Sequence, residues 1–99
     1  MKEHNYYVYI ISNINKTVLY TGVTNNLKRR LYEHENGIAE YSNSFTGKYN
    51  VHYLLYFEHH QYILDAINRE KQIKGWSRAK KEVIITDFNP KWEFLNEEI

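Results

Sequence analysis

The sequence predicts an α/β (α+β) sandwich built around a three-stranded sheet, with elements in the order ββαβαα. Three observations predict it. Two short apolar runs rich in tyrosine and β-branched residues, Tyr6–Ser12 and Val18–Val23, lie close enough to form a hairpin. A third such run, Val51–Phe57, follows a helical stretch. The remaining periodic segments have helical spacing and carry cap residues at their ends. A hairpin plus one further strand needs helices laid on it to bury its apolar surface.

Taken in order, Asn13-Ile14-Asn15-Lys16 supplies a four-residue hairpin loop between the first two strands. Leu27 to about Asn36 is a helix, with Asn25 or Asn26 as N-cap and Gly37 as stop. Ile38–Asn50 is a polar loop containing "FTGK", long for so small a domain, and long loops often carry function. Its aromatic residues Tyr41, Phe45 and Tyr49 are open to contact with a substrate, a second subunit or the core. A second helix runs Gln61–Lys74 and stops at Gly75. Ser77 caps a third helix through about Thr86, Asn89-Pro90 breaks it, and Trp92 and Leu95 fold back onto the core.

The 99 residues set one domain as the expectation for positions 1–99, with a single core. Absence of cysteine excludes a disulfide framework and a thiolate metal site, and fits a reducing compartment. Tyr6–Ile11 is too short for a signal-peptide core or a membrane span, so the expected location is cytoplasmic with no membrane partner. Net charge is only +1, and charge alone does not argue for nucleic acid. Its distribution says more: Arg69, Lys71, Lys74, Arg78, Lys80 and Lys81 face a single acid, Glu70, between Ala66 and Lys81. The following tail is acidic, with Glu82, Asp87, Glu93, Glu97 and Glu98 against Lys91. The basic segment is a candidate nucleic-acid surface, and equally an ordinary solvated helix face.

Three places break the packing pattern. A four-residue hairpin loop places Tyr9 opposite Tyr20, about 5 Å apart on one sheet face. That is either an aromatic cross-strand pair or two phenols brought together for chemistry. In the first helix Arg30 and His34 stand i,i+4 on the flank of the Leu27/Leu31 stripe, where a guanidinium needs an anion. In the second, the stripe Ile63, Ala66, Ile67 continues to Glu70, an acid at a core position. Glu70 is either an i,i+4 partner of Lys74 or a carboxylate kept for a divalent metal. Together these residue types fit phosphodiester cleavage. A metal on Glu70 would polarise the phosphate, Arg30 would neutralise transition-state charge, and a tyrosine or His34 would serve as general base.

At these residues the sequence resembles the GIY-YIG nuclease superfamily, specifically its small stand-alone members and the nuclease module of the excinuclease C subunit. The matching motifs are "YVY" (Tyr7–Tyr9), "YTG" (Tyr20–Gly22), "TNNLKRRLYEHENG" with Arg30 and His34, "REKQIKGWSRAKK" with Glu70, and "NPKW" (Asn89–Trp92). The resemblance implies a central three-stranded antiparallel sheet flanked by helices. It also implies a metal-dependent endonuclease using one divalent ion, Mg²⁺ or Mn²⁺. Tyr9 and Tyr20 would then line the site near the attacking water, Arg30 would contact the scissile phosphate with His34 beside it, and Glu70 would hold the metal. Asn89 matches a polar residue at the site edge in some branches. Val23 departs from the excision-repair branch, which carries a lysine there, and leaves the base open among Tyr9, Tyr20 and His34.

Relatives with known targets carry a second recognition domain. The expectation here is therefore a weakly specific or structure-dependent endonuclease on DNA, with RNA not excluded, serving repair or recombination with a protein partner for targeting. The oligomeric state is left open. The alternative is a non-catalytic nucleic-acid-binding module, or a partner-binding adaptor, that keeps the fold. An acid set into a core stripe favours the enzyme, because a pure binder has no use for a carboxylate opposing phosphate.

Overall fold

The computed structural model describes residues 4–37 and 49–99. Its elements are β1 (Tyr6–Ser12), β2 (Leu19–Thr24), α1 (Leu27–Glu35), β3 (Tyr53–His60), α2 (Ile63–Lys74), α3 (Arg78–Phe88) and a closing 3₁₀ turn (Asn96–Glu98). The strands form one antiparallel sheet in the order β2-β1-β3, so the ββαβαα order and the α+β class hold. The "FTGK" stretch, Tyr41 and Phe45 lie outside the described residues; Tyr49 is exposed.

Both faces of the sheet are covered, which explains why β1 is buried on both sides from Val8 to Ser12. One face carries Tyr9, Ile11 and Leu54 against Leu27 and Leu31 of α1, with Tyr20, Phe57 and Leu95 at the margin. The opposite face carries Val8, Ile10, Leu55 and Tyr56 against Ala66 and Ile73 of α2 and Ile85 of α3, with Trp76 and Trp92 closing over them. Strand alternation fails at Leu55–Tyr56, where a bulge opposite Ile10/Ile11 lets two consecutive residues serve the same face.

The hairpin register differs from the sequence expectation. Tyr9 pairs with Gly22, and Tyr20 with Ile11. The cause is the loop. Asn13 Oδ1 accepts from the backbone N–H groups of both Thr17 (2.9 Å) and Val18 (3.0 Å), and Lys16 takes a left-handed φ of 60°. The loop therefore spans six positions, 13–18, and β2 begins at Leu19. A slip of two residues keeps each side chain on its face, so Tyr9 and Tyr20 remain neighbours diagonally rather than directly opposed.

Two further expectations are corrected. Strand β3 continues to His60, and α2 begins only at Ile63, whose side chain is exposed. The buried stripe of α2 is Ala66–Ile73, a spacing of seven, and Glu70 falls between the two on that same face. The C-terminal segment then seals the start of β3. Leu95 N donates to Leu54 O (2.8 Å), and Asn96 Oδ1 accepts from Leu54 N (2.8 Å).

Candidate functional site

The two phenols, Arg30 and Glu70 converge at the free edge of β2, where α1 on one sheet face and α2 on the other come within reach of each other. Tyr9, Tyr20, Gly22, Val23, Arg30, Glu70 and Lys74 line a single open cleft of about 370 Å³ there. Those residues come from four elements, and each is delivered by a local feature of the sequence.

Tyr9 belongs to the central strand, yet its hydroxyl reaches the edge because Gly22 has no side chain. A Cβ on Gly22 would stand 2.4 Å from Tyr9 Oη and 2.5 Å from Cζ. This glycine is required by close approach, the ring of Tyr9 lying across β2 where a side chain would be. Tyr9 is only 1 % exposed. Its hydroxyl is hydrogen-bonded to His34 Nε2 at 2.9 Å, and both phenol rings meet the imidazole edge-on, with centroids 5.8 Å (Tyr9) and 5.6 Å (Tyr20) away.

Helix α1 is started by Asn26, whose side chain accepts from Arg29 N at 3.0 Å. That start turns Leu27 and Leu31 into the core and brings Arg30 and His34 inward with them; both are buried. Glu33 steadies the guanidinium, its Oε1 lying 2.9 Å from Arg30 Nε, while Oε2 is 3.7 Å from Arg29 Nε. His34 sits behind the phenols and meets the cleft through Tyr9. Burial, with the Arg30 charge second, pushes its pKa down to about 4, so the imidazole is neutral at physiological pH.

From the other face, α2 presents Glu70 and Lys74. Their charged groups pair at 2.7 Å, and Lys74 Nζ lies 5.6 Å from the centre of the Tyr20 ring. Of the two sequence readings of Glu70, the pairing with Lys74 is present, and the residue also lines the cleft. Among the described residues no group of three or more His, Cys, Asp or Glu gathers. A single half-buried carboxylate on an open cleft fits a hard cation of the magnesium type, which binds through one or two carboxylates and keeps water or phosphate oxygens on its other positions.

The rest of the basic segment does not form one free face. Arg69 turns to Glu58 on β3 (3.0 Å). Arg78 pairs with Glu82 (2.8 Å) and donates to the carbonyls of Lys16 and Thr17, tying α3 to the hairpin loop. Lys80 lies 4.6 Å over the Trp76 ring, and Lys71 is exposed. Asn89 stands away from the cleft as a buried staple. Its Nδ2 donates to Leu55 O (3.1 Å) and Glu93 O (2.8 Å), and its Oδ1 accepts from Glu93 N (3.1 Å). Two contributors were not singled out from the sequence, Gly22 as the passage for Tyr9 and Glu33 as the brace for Arg30, while Lys74 of the basic segment is found within the cleft. The i,i+3 spacing of Arg30 and Glu33 signals the second; the first depends on a register visible only in three dimensions.

The antiparallel sheet thus gathers phenols, a guanidinium and a carboxylate at one edge. The chain belongs to the GIY-YIG family: the model of the GIY-YIG catalytic domain matches residues 5–83. Over 84 residues it is 40 % identical to a UPF0213 protein of Natronomonas pharaonis, covering 84 % of this chain and 93 % of that relative. A UPF0213 protein of Bacillus pumilus is 30 % identical over 97 residues, 98 % of this chain and 95 % of the relative. The solution NMR structure of a UPF0213 protein from Bacillus halodurans matches with a TM-score of 0.50 at 28 % identity, covering 83 % of each chain. No helix among the described residues is long and apolar enough to cross a membrane.

Proposed function

We propose that this chain is a divalent-metal-dependent endonuclease that hydrolyses phosphodiester bonds in DNA with weak sequence specificity. The observation that carries this reading is the convergence of Tyr9, Tyr20, Arg30, Glu70 and Lys74 on one cleft from four elements. Membership in a nuclease family supports it. So does the engagement of Arg69 and Arg78 in internal contacts, which removes much of the basic surface a pure binding module would use.

Glu70 would hold the ion, with water and phosphate oxygens completing its shell. When bound, the metal supplies Lewis-acid polarisation of the phosphate and stabilises the leaving oxygen. Arg30, braced by Glu33, binds the scissile phosphate through its planar fork and stabilises the charge that grows on it. Lys74 adds a second cation to the same cleft. Neutral His34 is hydrogen-bonded through Nε2 to the Tyr9 hydroxyl and fixes the phenol's orientation. With a pKa near 4, the imidazole is a poor proton sink at neutral pH, so its part is to aim Tyr9 rather than to deprotonate water. The Tyr9 oxygen, turned into the cleft beside Tyr20, then accepts a hydrogen bond from the attacking water.

The test is cleavage of a panel of plasmid, branched, flapped and single-stranded DNA, with RNA alongside, in Mg²⁺ or Mn²⁺. Arg30→Ala and Tyr9→Phe run beside the wild type. Metal-dependent strand breaks on DNA that collapse in both variants support the proposal. Cleavage of RNA alone would move the substrate class, and cleavage that survives both variants would show that the cleft is not the site.

A further inference from the structure

A second cluster of ionisable groups sits on the other flank of α2, around Glu58 of β3. Tyr56 donates to Glu58 Oε1, and His60 Nε2 lies 2.5 Å from Oε2. Arg69 Nε is shared between the two carboxylate oxygens at 3.3 and 3.0 Å. The same guanidinium donates to Gln72 Oε1 (2.8 Å) and lies 5.1 Å over Trp76. Burial alone would raise the Glu58 carboxyl; the hydrogen bonds from Tyr56, His60 and Arg69 overcome it and hold the group below the usual range. Burial, then the bond to Glu58, pushes the Tyr56 phenol up to about 12. Glu58 is thus an anion and Tyr56 a neutral donor throughout the neutral range.

Nothing in the cleft chemistry uses these residues, and net stability does not explain them. A half-buried ion pair often does no better for stability than a well-packed apolar pair of the same volume. What it does provide is a fixed direction. Helix α2 has a narrow apolar footing, with only Ala66 and Ile73 buried, and its N-cap residue Tyr62 makes no side-chain cap bond. A helix with so few fully buried apolar side chains, Ile67 beside them being half-buried, can roll. Arg69 and Glu70 are consecutive, so they project about 100° apart, Arg69 toward β3 and Glu70 toward the β2 edge. At a side-chain radius of about 5–6 Å, a roll of about 10° carries the Glu70 carboxylate about 1 Å. Sites of this kind must be held to within roughly 0.5 Å.

We propose that Glu58 is a positioning residue: by clamping Arg69 it sets the rotation of α2 and so places the Glu70 carboxylate at the cleft. The inference rests on reading Glu70 as the metal ligand. The experiment is Mn²⁺ binding to the full chain without nucleic acid, followed by electron paramagnetic resonance, with melting temperature measured in parallel. Wild type binds and Glu70→Ala does not. Glu58→Gln binds about tenfold more weakly, as expected for loss of a group that orients a ligand. In a Tyr56→Phe background, which leaves no buried phenol without its acceptor, the double variant Glu58→Met, Arg69→Met matches or exceeds that background's melting temperature yet still binds weakly. That divergence of stability from affinity is one a merely structural pair would not produce. Wild-type Mn²⁺ affinity in Glu58→Gln and the double variant overturns the positioning role and leaves Glu70 as ligand. Mn²⁺ binding that is indifferent to Glu70 overturns both.

Discussion

Replacing Gly22 by alanine tests the site's most specific geometric requirement. The added Cβ would lie 2.4 Å from Tyr9 Oη, 2.5 Å from Cζ and 3.0 Å from Cε1. Unstrained contact needs about 3.5–4.0 Å between carbons, so the ring must retreat by about 1 Å. Tyr9 is 1 % exposed and its hydroxyl is fixed to His34 at 2.9 Å, so the retreat stretches or breaks that bond and withdraws the oxygen from the cleft. A misplacement of about 1 Å is worth about 10²-fold in rate. Overpacking and the lost hydrogen bond together lower stability by about 2–4 kcal/mol. The assay is supercoiled-plasmid nicking in Mg²⁺, read beside urea denaturation. In a Tyr9→Ala background the same alanine should cost little, because the ring it strikes is gone. Gly22→Ala nicking within about twofold of wild type, with stability changed by less than about 0.5 kcal/mol, would refute the reasoning.

Three other outcomes follow from the same geometry. Lys74→Met removes a cation from the cleft and slows nicking by about 10²-fold. It also lowers the Mg²⁺ concentration for half-maximal rate, because Glu70 loses its competing partner; an unchanged rate would place Lys74 outside the chemistry. For His34 the folded pKa, about 4, lies below the unfolded value of 6.5, so the unfolded chain binds the extra proton first. Its contribution is complete above pH 6.5 and lost as pH falls toward 4, with an upper bound of about 3 kcal/mol. Urea midpoints for wild type should fall across that window, and those of His34→Phe should fall less. Asn89→Ala leaves Leu55 O, Glu93 O and Glu93 N without their partner, which lowers stability by about 2 kcal/mol. Nicking measured well below the melting temperature should be unchanged, and a selective loss of rate would return Asn89 to the site edge.

Element order and most caps were legible because they are local. Asn26 and Ser77 cap where their side chains predict, and Gly75 closes α2. The hairpin register was not, because it is set by Asn13 bonding across the loop to Thr17 and Val18, a choice between loop lengths that alternation alone does not make. The slip was by two, so the faces survived and the two phenols stayed together. Glu70 is legible as a breach of pattern even though the sequence stripe passes through Ile63, which is exposed, and the buried position is Ile73. The roles of the basic segment were not legible. Whether Arg69, Lys74 or Arg78 faces solvent or an internal acceptor depends on Glu58, Glu70 and the hairpin carbonyls, which the fold brings from distant parts of the chain.

The measurement that tests the central claim most directly is single-turnover cleavage of DNA as Mg²⁺ is titrated, for wild type and Glu70→Gln, with binding to the same DNA measured in parallel. The account predicts Mg²⁺-dependent strand cleavage by wild type, and loss of cleavage with binding retained in Glu70→Gln. Cleavage by Glu70→Gln at the wild-type rate and Mg²⁺ requirement, or none by either protein on DNA that both bind, would contradict it.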